Sequence, residues 1–233
     1  MLEMMDVVYL VKDTKENEEL RYSLRSVEKN FPHRKVVFVG GVPDGILPDC
    51  WISVKQNGDT KWDNTHRMIQ AACLCENVSD NFVLFNDDFF VMKEIEALHY
   101  FYKGTLLERV DELEKAFPNS PSYRHRLMRA ERMLHSKGYS TFNYELHLPM
   151  VINKKKMLET YKMFPFGSAV RSLYANVFCG QGIQCDDVKI YDMMTKPTGE
   201  EAFLSTMDKT FRSGVVGDYI RDKFKEVSSF EVE

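Results

Sequence analysis

Short apolar runs separated by polar, helix-forming stretches organise the N-terminal part of the chain. Asp6–Val11 (DVVYLV) is a β-branched run bounded by polar residues and predicts a buried strand. In Glu18–Phe31 the apolar positions Leu20, Leu24, Val27 and Phe31 recur at spacings of 4, 3 and 4. That is one stripe of an amphipathic helix, which Pro32 ends. Lys35–Val39 (KVVFV) predicts a second buried strand, followed by a loop, Gly40-Gly41-Val42-Pro43-Asp44-Gly45. Trp51–Val54 predicts a short third strand. Asp63–Cys75 predicts a helix capped by Asp63 or Asn64, with Met68, Ala72 and Cys75 inward. Phe82–Phe85 (FVLF) predicts a fully apolar strand that stops at Asn86-Asp87-Asp88.

This alternation predicts an α/β fold with a mainly parallel sheet and helices on both faces. The rest reads as mostly helical: Leu106–Phe117, Ser122–Ser136, Lys154–Lys162, Ala169–Val177, Gly199–Met207 and Val215–Phe224. Phe142–Val151 (FNYELHLPMV) predicts a strand. No repeat or linker interrupts the chain, so 1–233 is expected to be one domain. Residues 1–95 form its α/β half and 96–233 its mostly helical half.

Composition narrows the function classes. Hydrophobic residues at 44% and charged residues at 28% are those of a folded protein. With 31 Lys+Arg against 35 Asp+Glu the net charge is −4. That gives no global footprint for nucleic acid, and leaves room for a local basic face. No apolar run approaches the ~20 residues that cross a bilayer. The opening MLEMMD lacks the features of a secretory leader. The protein is therefore expected to stay in the cytosol, and its five cysteines, an odd number, agree with a reducing compartment. Cys73 and Cys75 are too close for a usual metal-ligand pair, and all five read as small apolar side chains.

Six polar constellations are candidates for chemistry. Asp87 and Asp88, with Asn86 before them, sit at the carboxyl end of a predicted strand, where open α/β sheets bind ligands. Paired acids there can hold a hard divalent ion that bridges a diphosphate; a turn or helix cap is the competing explanation. Arg21 and Arg25 share a helix face near the end of the first strand, suited to phosphate or to pairing with Glu18 or Glu28. His147 can act as a general base, with Glu145 two residues away, or be a satisfied core histidine. Asp63-Asn64-Thr65-His66-Arg67 opens a helix, a place that favours anions but also plain caps. Arg171, Asp186, Asp187 and Lys189 add charge to the C-terminal half with no spacing that identifies a role. The arginine-rich stretch Tyr123–Lys137 suits either a polyanionic acceptor or a solvated helix face.

Together these segments resemble the Stealth family, which includes bacterial capsule sugar-phosphate transferases and the lysosomal-enzyme N-acetylglucosamine phosphotransferase. Asp6–Val11 is similar to its opening DVVYTWV strand, and Glu19–Lys29 to its ELRYSLRSxEK helix. Lys35–Pro48 is similar to the strand and Gly/Pro loop that follow. Trp62–Thr65 loosely resembles its TFNS segment, Phe85–Phe90 its FNDDFF block, and His147-Leu148-Pro149 its H-x-P element. The likeness is specific to about residue 95 and thinner beyond. The family's W-V-D/N-G continuation is replaced by Val11-Lys12-Asp13-Thr14, which lacks the glycine.

The resemblance implies a GT-A-like, Rossmann-type fold, a UDP-sugar donor and a divalent ion, Mn2+ or Mg2+. Residues 1–95 would be the donor-binding half and 96–233 the acceptor side. Asp87 and Asp88 would hold the metal, and Asp13, Arg21, Arg25, Asn64, Asn86 and Arg171 would face the donor and its phosphates. His147, with Glu145 and Asp88, would carry the catalysis. The implied activity is transfer of a sugar to an acceptor hydroxyl, on a glycan or on a hydroxylated base of bacteriophage DNA. Two alternatives stay open: sugar-1-phosphate transfer with release of UMP, and a non-catalytic nucleotide- or glycan-binding module. A nucleotidyltransferase is a third. The compact size and the opening residues suggest, by analogy, a bacterial or bacteriophage cytosolic protein, of undetermined oligomeric state.

Overall fold

β1 (Asp6–Val11) is buried along its whole length and lies at the centre of a sheet. The computed structural model describes residues 4–58, 60–165 and 169–232; the first three residues of the MLEMMD stretch lie outside them. The remaining elements are α1 (Glu18–Asn30), β2 (Val36–Gly40), β3 (Cys50–Ile52), α2 (Lys61–Leu74), β4 (Asn81–Asn86) and β5 (Phe89–Val91). They continue with β6 (Phe101–Tyr102), α3 (Leu106–Ala116), α4 (Pro121–His135), β7 (Met150–Asn153), α5 (Lys154–Met163) and α6 (Val170–Phe178). The last are β8 (Ile183–Gln184), β9 (Lys189–Ile190), β10 (Phe203–Thr206), α7 (Asp208–Ser213) and α8 (Val215–Lys223).

The chain divides into two compact units. The first takes Met1–Leu98, His147–Val151 and Val188–Glu233; the second takes His99–Leu146 and Ile152–Asp187. The first boundary falls after Leu98, and both His147–Val151 and Val188–Glu233 return to the first unit.

In the first unit the principal sheet has the order β3-β2-β1-β4-β7. β1 is parallel to both β2 and β4, and β2 is parallel to β3. Strands covered on both faces need no polar alternation, which is why DVVYLV and FVLF are nearly all apolar. α1 buries Leu20, Leu24 and Val27 completely, the predicted stripe. At the amino end of β1, Asp6 is buried and receives two hydrogen bonds from Arg34, at 2.6 and 2.7 Å. Against burial, which raises it, that pair with Ser79 N–H on the same carboxylate holds the Asp6 carboxyl below its ordinary range and belongs to the scaffold.

A second, three-stranded sheet has the order β5-β10-β9. Its core joins Phe90, Met92 and Leu204 to Phe211, Val216, Ile220 and Phe224 of the following helices. The second unit packs α3, α4 and α6 through Leu106, Val110, Leu127, Leu134 and Leu173.

Three expectations are corrected. Gly199–Met207 is not a helix, because Phe203–Thr206 pairs with β5 and β9 as a buried strand. Phe142–Val151 is not one strand: Phe142 makes an isolated bridge to Thr105, and the strand starts at Met150. The cap of α2 is Thr60, whose hydroxyl accepts from Asp63 N while the Asp63 carboxylate accepts from Thr60 N. Asp63 therefore serves as the third residue of a capping box, and Asn64 follows it.

Candidate functional site

After β1 the chain moves outward to β2 and β3, then returns across β1 to form β4. The winding reverses between β1 and β4, and such a reversal opens a crevice at the carboxyl ends of the two strands. Leu10 lies beside Asn86 in this register. The residues leaving that end are therefore Lys12-Asp13 from β1 and Asp87-Asp88 from β4.

Asp87 and Asp88 form the turn that carries the chain from the parallel sheet into β5. Asn17 caps α1 by accepting from Leu20 N at 3.0 Å, and its amide donates to Asp87 Oδ2 at 2.7 Å. Asp88 Oδ2 accepts from Lys189 Nζ at 2.5 Å and from Ser205 Oγ at 3.1 Å. Asp88 Oδ1 is buried and has no hydrogen-bond partner among the described residues. Beside them, Thr206 Oγ1 donates to Glu19 Oε1 at 2.6 Å.

The electrostatics of this corner show a shortage of positive charge. Burial first, and the neighbouring Asp88 carboxylate second, push the Asp87 carboxyl up to about 6. Burial, against the Thr206 hydrogen bond, and then the charges of Asp88, Asp87 and Asp208, push Glu19 up to about 7. Lys189 offsets part of this repulsion. Among the described residues no group of three or more His, Cys, Asp or Glu is arranged to hold a metal ion. The aspartate pair nevertheless suits a hard divalent cation: a buried carboxylate oxygen without a donor is the kind of atom such an ion satisfies, with ligand oxygens completing its shell.

The other sequence candidates fall in three places. Asp13 is exposed in the loop after β1. Gly41 packs against that loop so closely that a Cβ there would lie 2.8 Å from Asp13 Cα. Asn86 ends β4, and Asn64, in the first turn of α2, accepts from Gly58 N at 2.8 Å. His147 belongs to the first unit, its ring edge-on to Phe89, the residue after Asp88, with centroids 6.4 Å apart. Arg21 and Arg25 both bind Glu231, each with a contact of 2.7 Å. Glu145 and Arg171 belong to the second unit. There Glu145 Oε1 accepts from Ser172 N at 2.8 Å, in the first turn of α6. Burial raises its carboxyl, against the Ser172 hydrogen bond and the Arg171 charge. Arg171 donates to Leu146 O at 3.4 Å.

The structure thus gathers Asp87, Asp88 and, through Phe89, His147. It adds Asn17, Glu19, Ser205 and Thr206, which the sequence did not single out, and it gives Lys189 a specific partner. Asn17 alone had a local signal, as the asparagine before the acidic first turn of α1. The others reach the turn from strands more than a hundred residues along the chain or from an unremarked helix position, and no local spacing announces them.

No family model matches this chain, and no curated protein matches it. Among solved structures it is similar to the galactosyltransferase LgtC in complex with donor and acceptor sugar analogues, at 13% identity and a TM-score of 0.48, over 97% of this chain and 98% of that chain. An active-site mutant of LgtC gives 13% identity and a TM-score of 0.49 over the same shares of the two chains, 97% and 98%. The apo form of the glycosyltransferase GlyE of Streptococcus pneumoniae TIGR4 gives 12% identity and a TM-score of 0.38, over 78% of this chain and 45% of that chain.

Proposed function

We propose that this protein is a glycosyltransferase that moves a sugar from a UDP-sugar to an acceptor hydroxyl, with Mn2+ or Mg2+ held by Asp87 and Asp88. One observation carries the proposal: the acidic turn at the switch point, with Asp88 Oδ1 buried and without a donor. A divalent ion held by these carboxylates would supply positive charge to stabilise a leaving diphosphate. Asn17 and Lys189 orient the two carboxylates, and Asp13 and Asn86 line the strand ends from which a donor would be approached. The acceptor is a glycan or a hydroxylated nucleic-acid base.

In the transfer, the acceptor oxygen bonds to the anomeric carbon. The bond from that carbon to the β-phosphate oxygen breaks, and its electron pair leaves with UDP. The acceptor proton passes to a ring nitrogen of His147, whose place beside Phe89 keeps it near the turn. No helix among the described residues is long and apolar enough to cross a membrane. The Stealth resemblance supports the second reading, attack at the β-phosphorus with release of UMP.

The test is turnover of a panel of UDP-sugars with Mn2+, Mg2+ or EDTA, followed by the mass of the product. Divalent-dependent release of UDP and a product heavier by one sugar are expected. A product heavier by sugar plus phosphate replaces sugar transfer by sugar-phosphate transfer. Donor binding without release of UDP or UMP leaves only a binding module. In the same assay His147→Ala is expected to lower kcat by about 10²–10⁴ while the donor KM stays within about threefold. An equal loss in both would make His147 a structural residue.

A further inference from the structure

We infer that Lys189 is a phosphate-binding cation of this site, holding an oxyanion of a nucleoside diphosphate beside the divalent ion; the inference rests on the donor-site reading above. Lys189 pairs with Ser205 across parallel β9 and β10, and Ser205 pairs with Phe89 across antiparallel β10 and β5. Three strands therefore set the lysine, the serine and the acidic turn in one row. The placement is built by the sheet and does not depend on a flexible surface loop.

The Lys189 side chain is 14% exposed, and so is that of Asp88. Its ammonium has three N–H donors, and Asp88 Oδ2 is its hydrogen-bond acceptor. The other donors have no acceptor among the described protein atoms. The remaining N–H groups of this half-sheltered ammonium are available to solvent or to a ligand oxygen. Phosphate oxygens suit these donors, and a lysine serves them as a point charge.

Charge distribution makes cations at this turn necessary for such a ligand. The first unit has 18 Lys+Arg against 26 Asp+Glu, a balance of −8, whereas the second has 13 against 9, a balance of +4. A diphosphate that approaches Asp87, Asp88 and Glu19 is repelled unless cations stand between. A divalent ion at Asp88 Oδ1 and the ammonium at Asp88 Oδ2 would do so from the two oxygens of one carboxylate.

The alternative is an ion pair that only ties β9 to the turn, and binding of UDP by the full chain separates the two. Lys189→Gln keeps an amide donor for Asp88 and removes the charge. It is expected to weaken UDP binding by about tenfold or more in titration calorimetry, both with Mn2+ and in EDTA. Uridine, which lacks phosphates, should bind Lys189→Gln and wild type within about twofold. Lys189→Arg, which retains the charge, should hold UDP within about threefold of wild type. UDP affinity in Lys189→Gln equal to wild type, with Asp88→Ala weakened, overturns the role of Lys189 and leaves the donor site standing. Absence of UDP binding by wild type in both conditions overturns the two together. A measurement on the unmutated protein avoids any folding defect: UDP, but not uridine, should slow reductive methylation of Lys189, read by peptide mass. Equal rates with both ligands overturn the inference.

Discussion

Asp88→Ala is expected to lower divalent-dependent affinity for the donor by about 100-fold, roughly 2.7 kcal/mol, and to reduce turnover further. The size follows from what one carboxylate does. Its Oδ2 orders Lys189 and Ser205, and its Oδ1 is the buried oxygen available to a cation. Alanine removes both functions and leaves the Lys189 ammonium without its ion-pair partner. Two effects oppose each other in the fold. Losing the partner destabilises the sheltered lysine, whereas losing one of several crowded acids relieves Asp87 and Glu19, which Asp88 raises. The fold should therefore persist, and circular dichroism together with calorimetric titration of Mn2+ and UDP checks both halves of the prediction. Wild-type donor affinity and turnover in the variant would remove the metal from this turn.

The largest effect on stability is expected at the other end of the chain. The Glu231 side chain is 5% exposed and binds Arg25, itself 11% exposed, as well as Arg21. Arg25 meets it through Nε and Nη2, at 2.7 and 2.8 Å, a forked pair. Ser228 N also donates to the same carboxylate. Against the cost of burial, these arginines hold the Glu231 carboxyl down at about 2, from 4.5. Glu231→Ala leaves two guanidinium groups without their acceptor and should cost about 3–4 kcal/mol, seen as a lower denaturant midpoint at unchanged m-value. The sign with pH is fixed by the depressed carboxyl. Its contribution, roughly 3 kcal/mol, is complete above the unfolded value of 4.5 and disappears as the pH falls from there to about 2. The variant should therefore lose the part of the wild-type stability decline that lies in this window. A variant with the wild-type acid profile would show that the pair contributes little.

The same pair changes the meaning of the ELRYSLRS helix. Two arginines four apart suited phosphate when only the helix was visible. With Glu231 on them they brace α1, the helix that presents Asn17 and Glu19 at its amino end. Nothing near residue 21 in the sequence could show a partner at residue 231. Val232 N donates to Gly45 O and Leu47 N to Phe230 O, so backbone bonds to the loop after β2 bring Glu231 there.

Apolar periodicity alone determined the elements that lie buried or half-buried with their own local pattern: β1, β2, β4 and the stripe of α1. Burial on both faces writes itself into consecutive residues, so those segments were legible one at a time, and the parallel order followed from the helices between them. The sequence also placed Asp87 and Asp88 at a strand end, because the change from FVLF to NDD is abrupt. Only tertiary structure decided that Phe203–Thr206 is a strand, since its conformation comes from pairing with β5 and β9 rather than from its own helix-like composition. Only tertiary structure gave Asp88 a lysine and a serine, gave both arginines a glutamate, and put Glu145 at the first turn of α6. Ion pairs and buried hydrogen bonds act over a few ångströms in space, whatever the distance along the chain, and a one-dimensional pattern carries no record of them.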